Sequence, residues 1–306
     1  MKNNGVVFIK EIDRELAKEL CIKNHYSRKW NSAFGRFNFG IFKESEPDRC
    51  LGVAVFGNMM NPNSYKSINS KIERANITEL NRLWIDDELG YNTETVFMSL
   101  CFKYFKHYHK DVKIVQSFAD GRLGCGTIYK ASNFKYYGYH RTLFHENIYT
   151  KEAIHQANLN NTKGLPKMIG ENIGYIRGYL GAFYVKTFRY IYYLDREYEK
   201  YSLLKEQPYP EYSKGMDHFN FEQTSHVLAR CMLGCKLLGL NDLSDEFYQF
   251  LTDNFDKEQV ELSLQRAAEN QSLIEYINEK QHSYVTRVIA EYNEKYAKLP
   301  KDVEPR

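Results

Sequence analysis

Between Phe37 and Asp86 the chain reads as three strand patterns in a row, "FNFGIFK", "CLGVAVFGN" and "NITELNRLWID", with no helical period between them. No other feature constrains the fold as much. Strands joined without a helix pair antiparallel, because a parallel pair needs a long crossover connection. Ahead of them "DRELAKELCIKNHYS" has a helical period, opened by Asp13 as N-cap. Behind them "ETVFMSLCFKYFKHY" reads as helix, "VKIVQSFAD" as a buried strand and "GTIYKASNF" as a short helix. "YYGYHRTLFHENIY" reads as a strand pair or one long bent strand, and "FRYIYYLD" as the last strand. This order predicts an α/β (α+β) fold, a mixed sheet flanked by helices. A plain βαβ dinucleotide fold is excluded, and neither GxGxxG nor GxxxxGKS/T occurs.

Residues 156–182, rich in Asn and Gly, read as a long connection, and Lys205–Gly215 as a linker. Beyond it "EQTSHVLARCMLGCKLLGL", "LSDEFYQFLTDNF" and the stretch from Lys257 have amphipathic helical patterns. The expected division is 1–210 as an α/β domain and 216–306 as an all-helical C-terminal domain. Charge follows it: residues 1–214 carry 32 Lys/Arg against 23 Asp/Glu, and residues 215–306 carry 10 against 16. A basic first part suits a polyanionic partner, and ordinary surface charge is the competing explanation. The six cysteines include no CxxC pair and read as reduced, buried thiols. No apolar run approaches the roughly 18 residues of a membrane span, and "MKNNGVVFIKEIDREL" has no signal-peptide pattern. The expectation is a cytoplasmic protein with no membrane partner.

Three stretches carry chemistry. "NHYSRKW" (Asn24–Trp30) sets His25 and Tyr26 beside Arg28, Lys29 and Trp30 at a helix end. Cations meet phosphates and aromatics stack on bases, whereas a helix C-terminus decorated with cations is the structural explanation. "ELNRLWIDDELGYNTETVF" runs from a strand through a glycine turn to a helix start, and free N–H groups at such a start bind phosphate. In "SFADGRLGCGTIYKASNFKYYG", Asp120 ends a strand at the carboxyl edge of the sheet and Tyr129 lies in the first turn of the next helix. A carboxylate as base or orienting group and a phenol as general acid would face one cleft. The alternative is a turn residue and a core tyrosine.

Together "IKNHYSRKW", "LGVAVFGN", "ITELNRLWIDDELGYNTETVF", "SFADGRLGCGTIYKASNFKYYG" and "LLKEQPYP" resemble the GNAT N-acyltransferase superfamily, and within it the phage Mom family of DNA-modification proteins. The resemblance covers residues 12–210. It implies a GNAT-like, mostly antiparallel sheet. It also implies an enzyme that converts the exocyclic amine of adenine in double-stranded DNA to a carbamoylmethyl form and so blocks host restriction. His25, Tyr26, Asp120 and Tyr129 would form the reactive cleft, with iron as a candidate metal on the same four. Leu83, Trp84 and Ile85 would pair with the pantetheine arm of an acyl-CoA, acetyl-CoA foremost. Gly90, Tyr91, Asn92 and Thr93 would hold its pyrophosphate, with Asn133 also on the cofactor. Arg28, Lys29 and Arg122 would meet DNA phosphates, and Trp30 or Tyr26 would stack on or replace the flipped base. The sequence departs from the superfamily in lacking the Q/RxxGxG/A signature before the second helix. It also has Cys125 where relatives carry a histidine in a turn one residue longer, which admits a reactive thiol. The C-terminal helices lie outside the resemblance and are candidates for a homodimer interface. The runner-up is a GNAT acylating a protein or small-molecule amine.

Overall fold

A computed structural model of the chain describes residues 6–156, 165–278 and 282–297. Its elements are β1 (Val7–Glu11), α1 (Arg14–Asn24), β2 (Phe37–Lys43), β3 (Gly52–Gly57), β4 (Ile77–Ile85), α2 (Thr93–Tyr108), β5 (Ile114–Asp120), α3 (Thr127–Ala131), β6 (Lys135–Asn147), β7 (Ala153–His155), α4 (Leu165–Ile176), β8 (Leu180–Tyr193) and β9 (Asp217–Phe219). The helices α5 (Ser225–Leu237), α6 (Asn241–Asn254), α7 (Lys257–Ala268), α8 (Gln271–Asn278) and α9 (His282–Ala297) follow. Two compact units emerge: Met1–Arg141 with Lys186–Gly215, and Thr142–Val185 with Met216–Arg306. The sequence-based division at 210–216 follows chain order, whereas compactness groups Thr142–Val185 with the C-terminal helices.

In the first unit the strand order is β1-β2-β3-β4-β5-β8-β6. The pairs β1–β2, β2–β3, β3–β4 and β5–β8 are antiparallel, and β4–β5 is parallel across the α2 crossover. This is the mixed, mostly antiparallel sheet expected from the sequence. Period-2 alternation gives each strand two buried faces. Phe39, Phe56, Leu80 and Val115 pack on Phe97, Cys101 and Phe105 of α2. Val53 and Val55 pack on Ala17 and Cys21 of α1.

The feature that creates a site lies between β4 and β5. They pair only from Ile77/Ile114 to Leu80/Ser117. Beyond that point β4 stays on β3 as far as Ile85, while β5 stays on β8 as far as Asp120. Leu80 faces Phe56 and Arg82 faces Val55, so Asn81 is an extra, bulged residue. A bulge bends its strand and increases the local twist, and here the two parallel strands part.

Several expectations change. β1, absent from the sequence-based reading, adds an edge strand. β6 is one strand of 13 residues. The connection at 156–182 contains α4: Leu165, Ile169 and Ile173 recur at helical spacing and are buried among Leu228, Cys231 and Cys235. Residues 157–164 of that connection, residues 1–5 of the N-terminal stretch and residues 279–281 and 298–306 of the C-terminal stretch lie outside the described residues. The linker lies along the first unit: Gln207 N–H donates to the Tyr136 carbonyl and Gly215 N–H to that of Gly121. All six cysteines are free, and all but Cys50 are buried. No helix among the described residues is long and apolar enough to cross a membrane.

Candidate active site

The site begins where α1 stops. His25 leaves the helix with extended backbone (φ −74°, ψ 139°) and its side chain is buried. Its Nδ1 accepts the Ser27 N–H at 3.1 Å and lies 2.9 Å from Ser27 Oγ. The neutral ring therefore carries its proton on Nε2. Burial first, and the Arg82 charge second, lower its pKa to about 4. The Tyr26 ring packs against it at a tilt of 34°, ring centroids 4.2 Å apart, and projects outward with 62% exposure. Surrounding protein and then the Asp120 carboxylate raise the Tyr26 phenol, while Arg82 and Arg122 act in the other direction.

Two residues the sequence reading passed over lie at the parting of the strands. Arg82 comes off β4 just past the bulge, with Nη1 2.6 Å from the Asn81 carbonyl and Nε 3.3 Å from that of Lys29. Its guanidinium sits 4.5 Å over the Phe34 ring. Glu79, 9% exposed, accepts from Asn81 Nδ2 at 3.0 Å and Gln116 Nε2 at 3.2 Å. Burial pushes its carboxyl up to about 7 against those two hydrogen bonds and the Arg82 and Arg189 charges. The amide oxygens of Asn81 and Gln116 are themselves buried without partners. Flipping either amide would give a protonated Glu79 an acceptor.

Asp120 closes β5 in a fork with Arg122. Arg122 Nε lies 3.0 and 3.1 Å from the two carboxylate oxygens, and Nη2 lies 2.5 Å from Oδ2. The Arg122 N–H also donates to Oδ1 at 3.0 Å. Gly121 is required by close approach: a Cβ there would lie 2.5 Å from the Lys186 carbonyl oxygen. Gly126, at φ +85°, starts α3 and delivers Tyr129 against Tyr190 and Phe134. The Tyr129 hydroxyl is 2.9 Å from Ser117 Oγ, which is 3.0 Å from the Leu80 carbonyl. Burial pushes that phenol to about 12, so it is a proton donor at neutral pH. Tyr26, Asp120, Arg122 and Arg82 interact electrostatically, as do Tyr129, Tyr26, Glu79 and Arg82. The four residues expected to react thus lie near one another, with Arg82 and Glu79 among them.

The four do not fit a resident iron. Both Asp120 oxygens are engaged by the Arg122 guanidinium. No group of three or more His, Cys, Asp or Glu among the described residues is placed to hold a metal. Leu83, Trp84 and Ile85 lie where β4 has left β5, so this edge has backbone groups free to pair with an amide-bearing arm. Gly90–Thr93 is the turn into α2, whose first N–H groups have no intrahelical acceptor. Asp86, Asp87 and Glu88 precede that turn, and Lys43 and Arg49 neutralise Glu88. Asn133 lies apart, at φ +60° after α3, on the wall of a separate cavity.

Arg28 and Lys29 are exposed beside Tyr26, with Arg28 at φ +45°. Trp30 is not presented as a free platform: it packs edge-on to Phe34 at 5.7 Å and beneath Arg14 at 5.4 Å. Tyr26 is the exposed aromatic. Cys125 is buried, its Sγ 3.8 Å from the Pro210 carbonyl, which does not suit a reactive thiol.

The Mom protein family model matches residues 6–211. The chain is 32% identical over 204 residues to the methylcarbamoylase mom of Escherichia phage Mu, a match covering 64% of this chain and 80% of that protein. Among solved structures, the Vibrio cholerae spermidine/spermine N-acetyltransferase SpeG aligns at a TM-score of 0.36 and 10% identity, over 64% of this chain and 98% of that one. The Arabidopsis thaliana NAA60–acetyl-CoA complex aligns at 0.36 and 8%, over 61% and 99%. Neither superposition is close enough to carry an argument.

Proposed function

This chain belongs to the Mom protein family, and from that premise we propose that it is a transferase acting on the exocyclic amine of adenine in double-stranded DNA, converting it to a carbamoylmethyl derivative that protects phage DNA from restriction. The observation that carries the reading is the parting of β4 and β5 with Tyr26, Arg82, Asp120 and Tyr129 around it. A base flipped out of the duplex enters beside Tyr26, the exposed aromatic, which stacks on it or takes its place. Arg28 and Lys29 meet the flanking phosphates.

Asp120, held by Arg122, accepts a hydrogen bond from the adenine amine and takes its proton as the nitrogen forms its new bond. The Tyr129 phenol and the His25 Nε2–H are the donors available to charge developing on the donor group. The N–CH2 bond of the product forms as the amine displaces a leaving group from a methylene carbon, which acyl transfer from a thioester does not do; Leu83–Ile85 and the Gly90–Thr93 turn would hold the CoA part of a donor. The test is the sensitivity of plasmid DNA, from cells making the protein, to restriction enzymes whose sites contain adenine. Protection by the wild type and none by Asp120→Asn is expected. Equal cleavage of both plasmids, with both proteins folded, contradicts the reading.

A further inference from the structure

Leu123 is 51% exposed at the end of the turn that leaves Asp120. Its N–H donates to the Asp120 carbonyl at 2.9 Å, so the turn uses the backbone of this residue and not its side chain. Turns favour Gly, Asn, Asp and Ser, and a branched apolar side chain held in water there contributes nothing to the fold. The turn beneath it is firmly braced. Gly121 N–H donates to the Lys186 carbonyl at 2.9 Å, and Gly215 N–H donates to the Gly121 carbonyl at 3.0 Å. Arg122 forks onto the Asp120 carboxylate. The Tyr212 ring lies against Gly124, where a Cβ would come within 2.8 Å of it. An exposed leucine is thus presented on a rigid support, three residues after the candidate base.

The surface around the turn suits nucleic acid. Tyr139 and Tyr212 are exposed aromatics, and the Lys186 ammonium lies 5.0 Å from the Tyr139 ring. Lys186 and Lys214 are exposed. From Phe118 to Ser132 the only acid is Asp120, which Arg122 neutralises, and from Pro208 to Gly215 the only acid is Glu211. Cations interleaved with aromatics meet phosphates and bases. Tyr26, which interacts with Asp120 and Arg122, belongs to the same rim.

We infer that Leu123 is the wedge that enters the base stack of duplex DNA as the target adenine leaves it. The inference rests on the reading of duplex adenine as the substrate. An extruded base leaves a gap in the stack and an unstacked partner base, and an apolar side chain fills that gap without asking for a hydrogen bond. Tyr26 is then left to stack on the extruded adenine.

The probe is 2-aminopurine, whose fluorescence rises when it leaves the stack. It replaces one adenine in duplexes that cover each flanking base, titrated with the full-length protein. The wild type is expected to raise the fluorescence. Leu123→Ala should lower the rise at least about threefold on fully bound duplex, and Leu123→Met should restore it. A weakly paired 2-aminopurine–cytosine mismatch should narrow the gap between wild type and Leu123→Ala, which damage to the fold would not do. An equal rise with wild type and Leu123→Ala overturns the inference, as does duplex binding by the wild type without any rise. Failure of the wild type to bind any duplex overturns the DNA reading itself, and the wedge with it.

Discussion

Glu79 is the residue whose behaviour the fold dictates most sharply. Its carboxyl binds a proton more tightly folded, at about 7, than at its ordinary value of 4.5. The penalty is therefore absent below the ordinary value, grows as pH rises, and is complete above the folded value. Glu79→Gln should be more stable than the parent by up to about 3 kcal/mol at about pH 8, and by little at about pH 4. Urea unfolding at the two pH values checks this; the same difference at both would show that Glu79 ionises freely. His25 works in the opposite sense. Its folded value near 4 lies below the ordinary 6.5, so stability is lost as pH falls through that window. At this scale the positions of Asp120 at a strand end and Tyr129 in a helix were legible, because both are local patterns. Arg82 and Glu79 were hidden, because a charge inside a strand pattern reads as a solvent-facing position until the face it occupies is known.

Among the elements, the turn from β5 to α3 sets the cleft, and Gly126 is its least replaceable residue. An alanine there would hold φ +85° with its Cβ 2.7 Å from both Ala119 Cβ and the Tyr129 ring. Left-handed backbone costs about 1–2 kcal/mol in an L residue, and overpacking about 1–3 kcal/mol more. Gly126→Ala should lower stability by about 2–4 kcal/mol and abolish modification by displacing Tyr129. Thermal unfolding and nucleoside analysis test it, and a variant of parental stability and activity would mean that α3 re-forms elsewhere. Strands β2 to β6, α1, α2 and α3 were legible from period and caps, whereas the short edge strands β1, β7 and β9 were not. α4 was not, because its Asn and Gly residues mask the Leu165, Ile169, Ile173 spacing. Nor was the parting of β4 from β5, since a bulge at Asn81 exists only relative to its partner strand.

For the whole molecule, the family match ends at residue 211, yet the packing of the second unit does not respect that boundary. Leu165, Ile169 and Ile173 of α4 are buried with Leu228, Cys231 and Cys235 of α5. A chain ending at Gly215 would expose that apolar face and should be recovered as aggregate, by size-exclusion chromatography, where the full chain is soluble. A stable, soluble truncated protein would show that α4 does not need its helical partners. This grouping joins segments far apart in the chain, which local sequence patterns do not encode. We propose that the residues around Asp120 modify adenine in DNA, and the most direct test is mass spectrometry of nucleosides from plasmid DNA in cells expressing the wild type or Asp120→Asn. A carbamoylmethylated deoxyadenosine is expected with the wild type and none with the variant. Unmodified deoxyadenosine with both, the proteins being soluble and folded, would contradict it.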